Sequence, residues 1–401
     1  MTPTTRILIK DFGPIKEAFI DFNKITLFIG PQGAGKSTIA KLYSMFTWLE
    51  KKFIRGMEDF KQFEKTSKFK NEVCAYHRLT SFFKSSTEIK FEGQRYVFLF
   101  KNNKLNINQI DRAEHMEVYK VIYIPSDRNA LSSLDSLAGL KSVPQSLMTF
   151  KDEYDNARKS LLSIKLPINN VKFSYNKQNE KTYIIGKDYK VELMDASSGF
   201  QAIVPLLLVS EHLTRLVEAN IKKNNGEGLS LEESEQLKRE VNAIMNDSSL
   251  SIMVKRRALS SISKRFGYSG LANIVEEPEQ NLYPESQQAV LFELLKLSQV
   301  SAGNKLVITT HSPYLIDYLT LAIKAGKLVE EGADRNRIAK IVPIESAISE
   351  KHVSIYQLSN GHASLLPMYA GVPSDKNDLN SLLAETNTSF DELLDIEDSL
   401  R

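Results

Sequence analysis

Cysteine is almost absent from this 401-residue chain: Cys74 is the only one. An internal disulfide is thereby excluded, and so are a cysteine-rich zinc site and a Cys-x-x-Cys metal hook. Charge of one sign is missing as well. The 52 Lys and Arg stand against 49 Asp and Glu, a net charge of +3. No large basic field is forced on the molecule, although local basic patches fit. No uninterrupted apolar run approaches the roughly 18 residues that a membrane helix needs. The opening Met1-Thr2-Pro3-Thr4-Thr5-Arg6 lacks the apolar core of a signal peptide. These absences set the expectation of a cytoplasmic protein with no membrane partner. Tandem repeats and the spacing Asp-x-Asp are also missing. Heptad patterning is too short for a long coiled-coil arm. What remains is ordinary for a soluble globular chain, with 42% hydrophobic and 25% charged residues. The length allows two or so domain-sized units, or one α/β core carrying insertions.

The stretch that organises the chain is Gly30-Pro31-Gln32-Gly33-Ala34-Gly35-Lys36-Ser37-Thr38. It matches the P-loop pattern G-x-x-x-x-G-K-[ST] at every fixed position. Ile25-Thr26-Leu27-Phe28-Ile29 before it reads as a buried strand, and Ile39 to Phe46 after it has helical spacing. Strand, glycine-rich turn and helix stand in the order that phosphate binding needs. Glycines let backbone N–H groups converge on phosphate oxygens, and the helix N-terminus adds a favourable dipole. Lys36 is expected to reach the β- and γ-phosphates, and the Ser37 hydroxyl to ligate Mg²⁺.

Before the P-loop, Arg6 to Lys10 and Ile15 to Phe22 read as two strands around Phe12-Gly13-Pro14. The helix after the loop runs to about Lys51. From 51 to 87 basic and aromatic residues interleave, among them Lys51, Phe53, Arg55, Phe63 and Phe69. A nucleic-acid groove can be built that way, but amphipathic helices burying their Phe residues are the favoured reading. Residues 88–110 read as an antiparallel sheet, Val121 to Ile124 as a core strand, and 147–164 as a helix. Lys172 to Tyr175 and Thr182 to Ile185 read as a second hairpin. Residues 219–265 read as a helical hairpin, broken at Asn224 to Gly228, with Ser230 and Glu233 spaced for a capping box. Leu271 to Val275 and Leu306 to Thr309 read as buried strands. Ile341 to Pro343 and Val353 to Leu358 continue the sheet, and the tail after Val372 is polar and acidic.

Three further constellations carry chemistry. The strand Leu271 to Val275 ends in Glu276-Glu277-Pro278-Glu279, a Walker B arrangement. Glu276 is expected to hold Mg²⁺ directly or through water, and Glu277 to act as general base on the attacking water. Thr309-Thr310-His311-Ser312-Pro313 puts an imidazole at the end of a core strand, where it can bond the γ-phosphate and the attacking water. Ser197-Ser198-Gly199 precedes a helix and makes an anion site. With a P-loop already on the chain, that second site suits capping the γ-phosphate of a partner subunit.

In this order, the P-loop, Ser-Ser-Gly-x-Gln, Glu-Glu-Pro-Glu and Thr-His-Ser-Pro resemble the ABC-type ATPase heads of the SMC/RecF group. The likeness extends to the OLD-like ATPases. Ile9 to Ile15 resembles that family's first strand and turn. Glu276 to Pro284 resembles its extended Walker B and D-loop, with Tyr283 where His is common and Glu276 where most relatives carry Asp. Tyr123 to Arg128 resembles a strand end whose arginine often lies near the nucleotide, which makes Arg128 a nucleotide-binding candidate. No glutamine stands out as a Q-loop residue.

The resemblance implies an α/β P-loop NTPase, an ABC-type head with a mixed sheet, an antiparallel β subdomain and helical inserts. The expected head spans 1–372. Its parts are a P-loop lobe (6–50), an insert region (51–190), a signature helix (191–218), a helical hairpin (219–265) and a Walker B and His lobe (266–360). An acidic tail follows (373–401). The resemblance implies ATP and Mg²⁺ as ligands and a head-to-tail homo-oligomer. In that sandwich, nucleotide held by Gly30, Gln32, Gly33, Ala34, Gly35, Lys36, Ser37 and Thr38 is covered by Ser197, Ser198 and Gly199 of the other copy. Many OLD-like proteins carry a TOPRIM nuclease, but only about 90 residues follow His311 and Asp-x-Asp is missing. No nuclease is therefore expected in this chain. Stand-alone heads of this kind resemble ATPase subunits of two-component bacterial anti-phage systems, which control a separate effector, often a nuclease. A RecF-like DNA repair ATPase is the alternative. A degenerate binding module and a transporter ATPase fit less well.

Overall fold

A computed structural model describes residues 5–64, 68–110, 117–133, 143–223 and 228–400. β1 (Thr5–Phe12) and β2 (Ile15–Phe22) pair antiparallel through a turn at Gly13, φ 53°. β3 (Ile25–Ile29) follows, buried at every residue, and runs through the P-loop into the helix Lys36–Ile54. β4 (Phe83–Glu92), β5 (Tyr96–Lys101) and β6 (Lys104–Gln109) form an antiparallel meander. After β7 (Tyr119–Ile124) comes the helix Gln145–Leu161. β8 (Ser163–Lys165), β9 (Lys172–Asn176), β10 (Lys181–Ile185) and β11 (Lys190–Glu192) make a separate four-stranded antiparallel sheet. The long helix Ser198–Lys223 then leads to a hairpin of helices Leu231–Asn246 and Ile252–Phe266. β12 (Gly270–Glu276), the helix Pro284–Gln299, β13 (Lys305–Thr309) and the helix Pro313–Glu330 complete the central layers. β14 (Val353–Ser359), β15 (His362–Leu365), the short pair β16 (Met368–Tyr369) and β17 (Val372–Pro373), and the helix Asp378–Asp398 end the chain.

One 11-stranded sheet runs β6-β5-β4-β1-β2-β15-β14-β3-β13-β12-β7. Its β14-β3-β13-β12-β7 part is parallel, and the flank from β6 to β2 is antiparallel. Parallel strands are covered on both faces, so they read as continuous apolar runs. Gly270–Glu276 is buried at all seven positions, which is that pattern. Register does the rest of the positioning. Glu276 pairs with Thr309, and Thr309 pairs with Phe28. Three strand ends therefore stand in line, and the Walker B acid lies about 10 Å along the sheet from the P-loop strand.

Gly30 shows why the loop needs glycine at its first position. Its φ is 136°, and a Cβ there would lie 2.2 Å from the Leu358 carbonyl oxygen on β14. Gly30→Ala is expected to cost about 1–3 kcal/mol from backbone strain, and to shift β14 away from β3. A denaturant midpoint within error of the wild type would overturn this.

The P-loop helix is braced at its far end. Lys51 Nζ lies 2.8 Å and Arg55 Nη1 2.6 Å from Glu233 Oε1, all three buried. The Tyr268 hydroxyl donates to the other carboxylate oxygen at 3.2 Å. Arg55 also donates to the carbonyls of Arg265 and Phe266. Ser230 and Glu233 form the expected capping box. Glu233 thus caps its own helix and pins the hairpin to the P-loop helix.

Several expectations are corrected. The helix expected over 147–164 ends at Leu161, because Leu162 turns left-handed (φ 49°) and 163–165 enter the small sheet. Ile341 to Pro343 form no strand: Val342 is buried in a turn, and Pro343 leads a single 3₁₀ turn. The strands of 88–110 are antiparallel as expected, and they join the main sheet through β1. The acidic tail is helical. Phe53, Phe63 and Phe69 are buried, as the favoured packing reading expects, but Lys51 and Arg55 are buried with them against Glu233 where that reading expects solvated bases. Helix Ser198–Lys223 is long and apolar enough by composition to cross a membrane, but Leu206, Leu207, Leu208, Val209 and Leu213 are core residues. The N-terminal Met1 to Thr4 and the break at 224–227 lie outside the described residues.

Candidate functional site: a P-loop joined to an acid–imidazole pair

The loop from Gly30 to Gly35 bends through three left-handed glycines: Gly30, Gly33 (φ 76°) and Gly35 (φ 103°). Each conformation is one that only glycine adopts without strain. Pro31, Gln32 and Gly33 are exposed, and a Cβ on Gly33 would meet nothing. Ala34 closes the loop by donating its N–H to the Pro31 carbonyl at 3.3 Å. The Lys36 ammonium sits inside the turn. It donates to the Gly30 carbonyl at 2.6 Å and the Pro31 carbonyl at 2.9 Å, and lies 3.2 Å from His311 Nδ1. Those three contacts match the three donors of an ammonium.

This geometry assigns the His311 tautomer. Nδ1 accepts from Lys36, so the proton of a neutral ring sits on Nε2. Nε2 is 3.4 Å from Glu277 Oε1. Burial and the Lys36 cation hold the imidazole below its ordinary value, against the pull of Glu277. A polar chain thus runs Lys36–His311–Glu277 across the ends of β3, β13 and β12.

Glu277 is aimed by its backbone. Its φ is 44°, an uncommon conformation for a non-glycine residue. The surroundings enforce it: its N–H donates to the Thr309 carbonyl at 2.9 Å, and its own carbonyl accepts from Arg128 Nη2 at 2.7 Å. Such strain is typical of positions where a side chain must point one way. Glu276, one residue earlier, is buried at the strand end. Its Oε2 accepts from the Ser126 N–H at 3.3 Å, while Oε1 has no hydrogen-bond partner. A buried carboxylate oxygen without a partner is the kind of atom a hard cation satisfies. Together with the half-buried Ser37 at the P-loop, the donor set therefore fits Mg²⁺.

Two residues stand apart from the expectation. Arg128 is fully buried. It donates to the carbonyls of Ala202, Pro125, Glu276 and Glu277 at 2.6–3.1 Å, which uses four of its five N–H groups. In this arrangement it ties the signature helix to the end of Walker B, and its link to the site runs through Glu277. Glu279 was quoted in the sequence without a role. Its buried Oε1 accepts from Thr310 Oγ1 at 2.7 Å and the His311 N–H at 2.8 Å. It thereby holds the loop that carries the imidazole. Burial raises its carboxyl above the ordinary range. The signal for that role was its third place in Glu276-Glu277-Pro278-Glu279, but only the fold reveals the recipient.

Ser197 and Ser198 are exposed at the start of the long helix. Gly199 is pressed against the D-loop, where a Cβ would lie 2.9 Å from the Asn281 carbonyl oxygen. Gln201 Nε2 bonds the Met194 carbonyl at 2.7 Å. Polar contacts join Lys36 of the P-loop to His311, and His311 to Glu277; among the described residues none joins Ser197 or Ser198 to them.

Burial lowers Lys36 to about 8. Its charged form, which phosphate needs, prevails below that value. Nucleotide affinity is therefore expected to be flat up to about pH 8 and to fall by up to about tenfold per unit above it. Calorimetric titrations with ADP from pH 7 to 9.5 measure this, and an unchanged affinity at pH 9.5 would refute it.

An AAA domain family described as putative AbiEii toxin, type IV TA system, matches residues 272–317. That segment begins inside β12 and ends after His311, so it holds Walker B, the D-loop and the imidazole. No curated protein matches the chain. Among solved structures, the chain is similar to the SMC head domain from Thermotoga maritima: 12% identity, TM-score 0.37, covering 92% of this chain and 99% of that one. It is similar to the recombination mediator protein RecF of the RecFOR pathway, at 12% identity and TM-score 0.32, over 91% and 98%. The ATP-binding cassette of an ABC transporter in its ADP conformation follows, at 13% identity and TM-score 0.30, over 90% and 89%. The segment similar to that AAA domain family is thus joined, through one parallel sheet, to a stretch that matches the P-loop pattern at every fixed position.

Proposed function

We propose that the chain binds and hydrolyses ATP and that nucleotide gates its assembly as a dimeric switch. The observation that carries this reading is the continuous chain from Lys36 through His311 to Glu277. Phosphate oxygens replace the Gly30 and Pro31 carbonyls as acceptors for Lys36. The loop N–H groups and the helix N-terminus hold the remaining charge. Ser37 and Glu276 would hold Mg²⁺, which would supply positive charge against the phosphates. Glu277 takes the proton of the attacking water, and His311, fixed by Glu279, orients that water and the γ-phosphate. Ser197, Ser198 and Gly199 of a second copy cover the nucleotide. Their exposure supports that role, since a covering group must be free to meet a partner. Contacts that exist only in the closed dimer give ATP the differential affinity that drives closure.

The matched family is described as a putative toxin of a type IV toxin–antitoxin system. Together with the resemblance to stand-alone defence ATPases, that supports a sensor subunit in an anti-phage system, controlling a separate effector. RecF-like work on DNA is the competing role. The test is turnover and sedimentation of the wild type, Lys36→Ala and Glu277→Gln, with and without DNA. An increase in assembly of the wild type on adding ATP, absent in Lys36→Ala, is expected. Absence of both turnover and ATP-dependent assembly would refute the ATPase reading. Turnover stimulated by DNA and suppressed by added salt would favour RecF-like work.

A further inference from the structure

The near-neutral net charge hides a strong segregation between two helices. Asp378–Asp398 carries seven acids (Asp378, Glu385, Asp391, Glu392, Asp395, Glu397, Asp398) and no Lys or Arg. Ile252–Phe266 carries Lys255, Arg256, Arg257, Lys264 and Arg265 and no acid.

Both helices also leave apolar surface uncovered. On the acidic helix Leu382, Phe390, Leu393 and Leu394 are exposed, Phe390 at 61%. Their spacing places them on one stripe. Asp391, Asp395 and Asp398, at i, i+4 and i+7, form a row along one edge of that stripe. On the hairpin, a cavity of about 360 Å³ opens between the two helices, lined by Ala243, Ile244, Ala258, Ser261 and Ile262 and, at one side, by Glu240 and Arg265, which pair with each other. Exposed Val254 extends its apolar face. Arg257 and Lys264, i and i+7 apart, flank that face and are exposed. Each row spans about 10 Å, the rise of seven helical residues. A stripe with an acidic edge thus stands against a groove with a basic edge at the same repeat.

Within one chain the two are anchored at different places. The acidic helix is anchored at its start, where Asp378 bonds Gln357 of β14 at 2.7 Å, and Gln357 pairs with Ile29 at the P-loop end of β3. The hairpin is anchored through Glu233 at the opposite end of the P-loop helix, which at 19 residues is about 28 Å long.

We infer that the acidic helix Asp378–Asp398 of one copy docks along the basic helix Ile252–Phe266 of a second copy, seating Phe390 and Leu393 in the groove beside it. In a two-fold dimer the contact forms twice, which doubles the buried area without a new surface.

Sedimentation equilibrium of nucleotide-free Lys36→Ala tests this without interference from an ATP sandwich. The full-length variant is expected to self-associate, more weakly at 0.5 M salt than at 0.1 M. Arg257→Glu with Lys264→Glu, or Asp391→Lys with Asp395→Lys, should each weaken association at least tenfold. Phe390→Ala should do so without altering the salt dependence. Combining both charge reversals in one chain should restore association. A chain that stays monomeric without nucleotide would overturn the inference, and so would rescue that never appears. Monomers with a helix docked in their own hairpin, or an acidic helix that pairs with its own copy, leave the hairpin variants unaffected and also overturn it. If ATP-driven dimerisation fails while this contact persists, the switch reading falls alone.

Discussion

Glu277→Gln is expected to lower ATP turnover by about 10²–10⁴-fold while leaving ATP binding intact. The amide keeps the size of the side chain and its reach to His311 but cannot take a proton. The loop glycines, Lys36 and Ser37 are untouched, so ATP should hold the dimer closed longer than in the wild type. Of the three carboxylates at the end of β12, only this one suits a base. Glu276 is buried with one oxygen already accepting from Ser126. Glu279 spends Oε1 on Thr310 and His311, and burial raises its carboxyl. Glu277 is a third exposed and 3.4 Å from the imidazole. Single-turnover kinetics with radiolabelled ATP, alongside a filter-binding assay, separate the two effects. Turnover within a few fold of the wild type would remove Glu277 as the base.

Glu233→Ala is expected to cost about 3–5 kcal/mol of stability, because it leaves two buried cations without their counter-charge. Burial alone would raise the Glu233 carboxyl, but Lys51 and Arg55 outweigh it and hold it well below its ordinary 4.5. The stability this gives is complete above about pH 4.5 and is lost as pH falls towards the lowered folded value. Lys51 has the opposite sign. Burial lowers it from 10.5 to about 8. Keeping it as a cation therefore costs stability below pH 8, and that cost fades as pH rises from 8 to 10.5. Urea unfolding at pH 7 measures the main effect, and a loss under about 1 kcal/mol would refute the brace. A triple variant with Lys51→Met and Arg55→Met added should recover much of the loss, since it removes the unpaired charges. Because the cluster joins the P-loop helix to the hairpin, Glu233→Ala should also raise hydrogen exchange in 231–266 before it affects the main sheet.

Legibility followed the range of the interactions. The P-loop, the buried strands β3, β12 and β13, and the capping box at Ser230 were readable because each is specified by neighbours a few residues apart. Arg128 was singled out in the sequence as a nucleotide contact, yet its guanidinium reaches Ala202, Glu276 and Glu277, partners more than seventy positions away. Glu279 and the Lys51–Arg55–Glu233 cluster stayed hidden for the same reason. Leu162 misled because a helical apolar pattern continues past the left-handed residue that ends the helix.

By itself, the sequence determined the glycine-rich P-loop turn, the acid and imidazole at the ends of the two buried strands that follow it, and the α/β class. Glycine conformation, strand burial and helix capping are local, and the residue types encode them directly. Only the tertiary structure decided that Lys36, His311 and Glu277 share one polar chain. Their alignment depends on the register of three parallel strands joined by long crossovers. It also decided that the acidic tail forms a helix with exposed apolar residues, and that the basic residues of Ile252–Phe266 flank an apolar face. A net charge counts residues, whereas a contact depends on which faces the folded backbone turns outward.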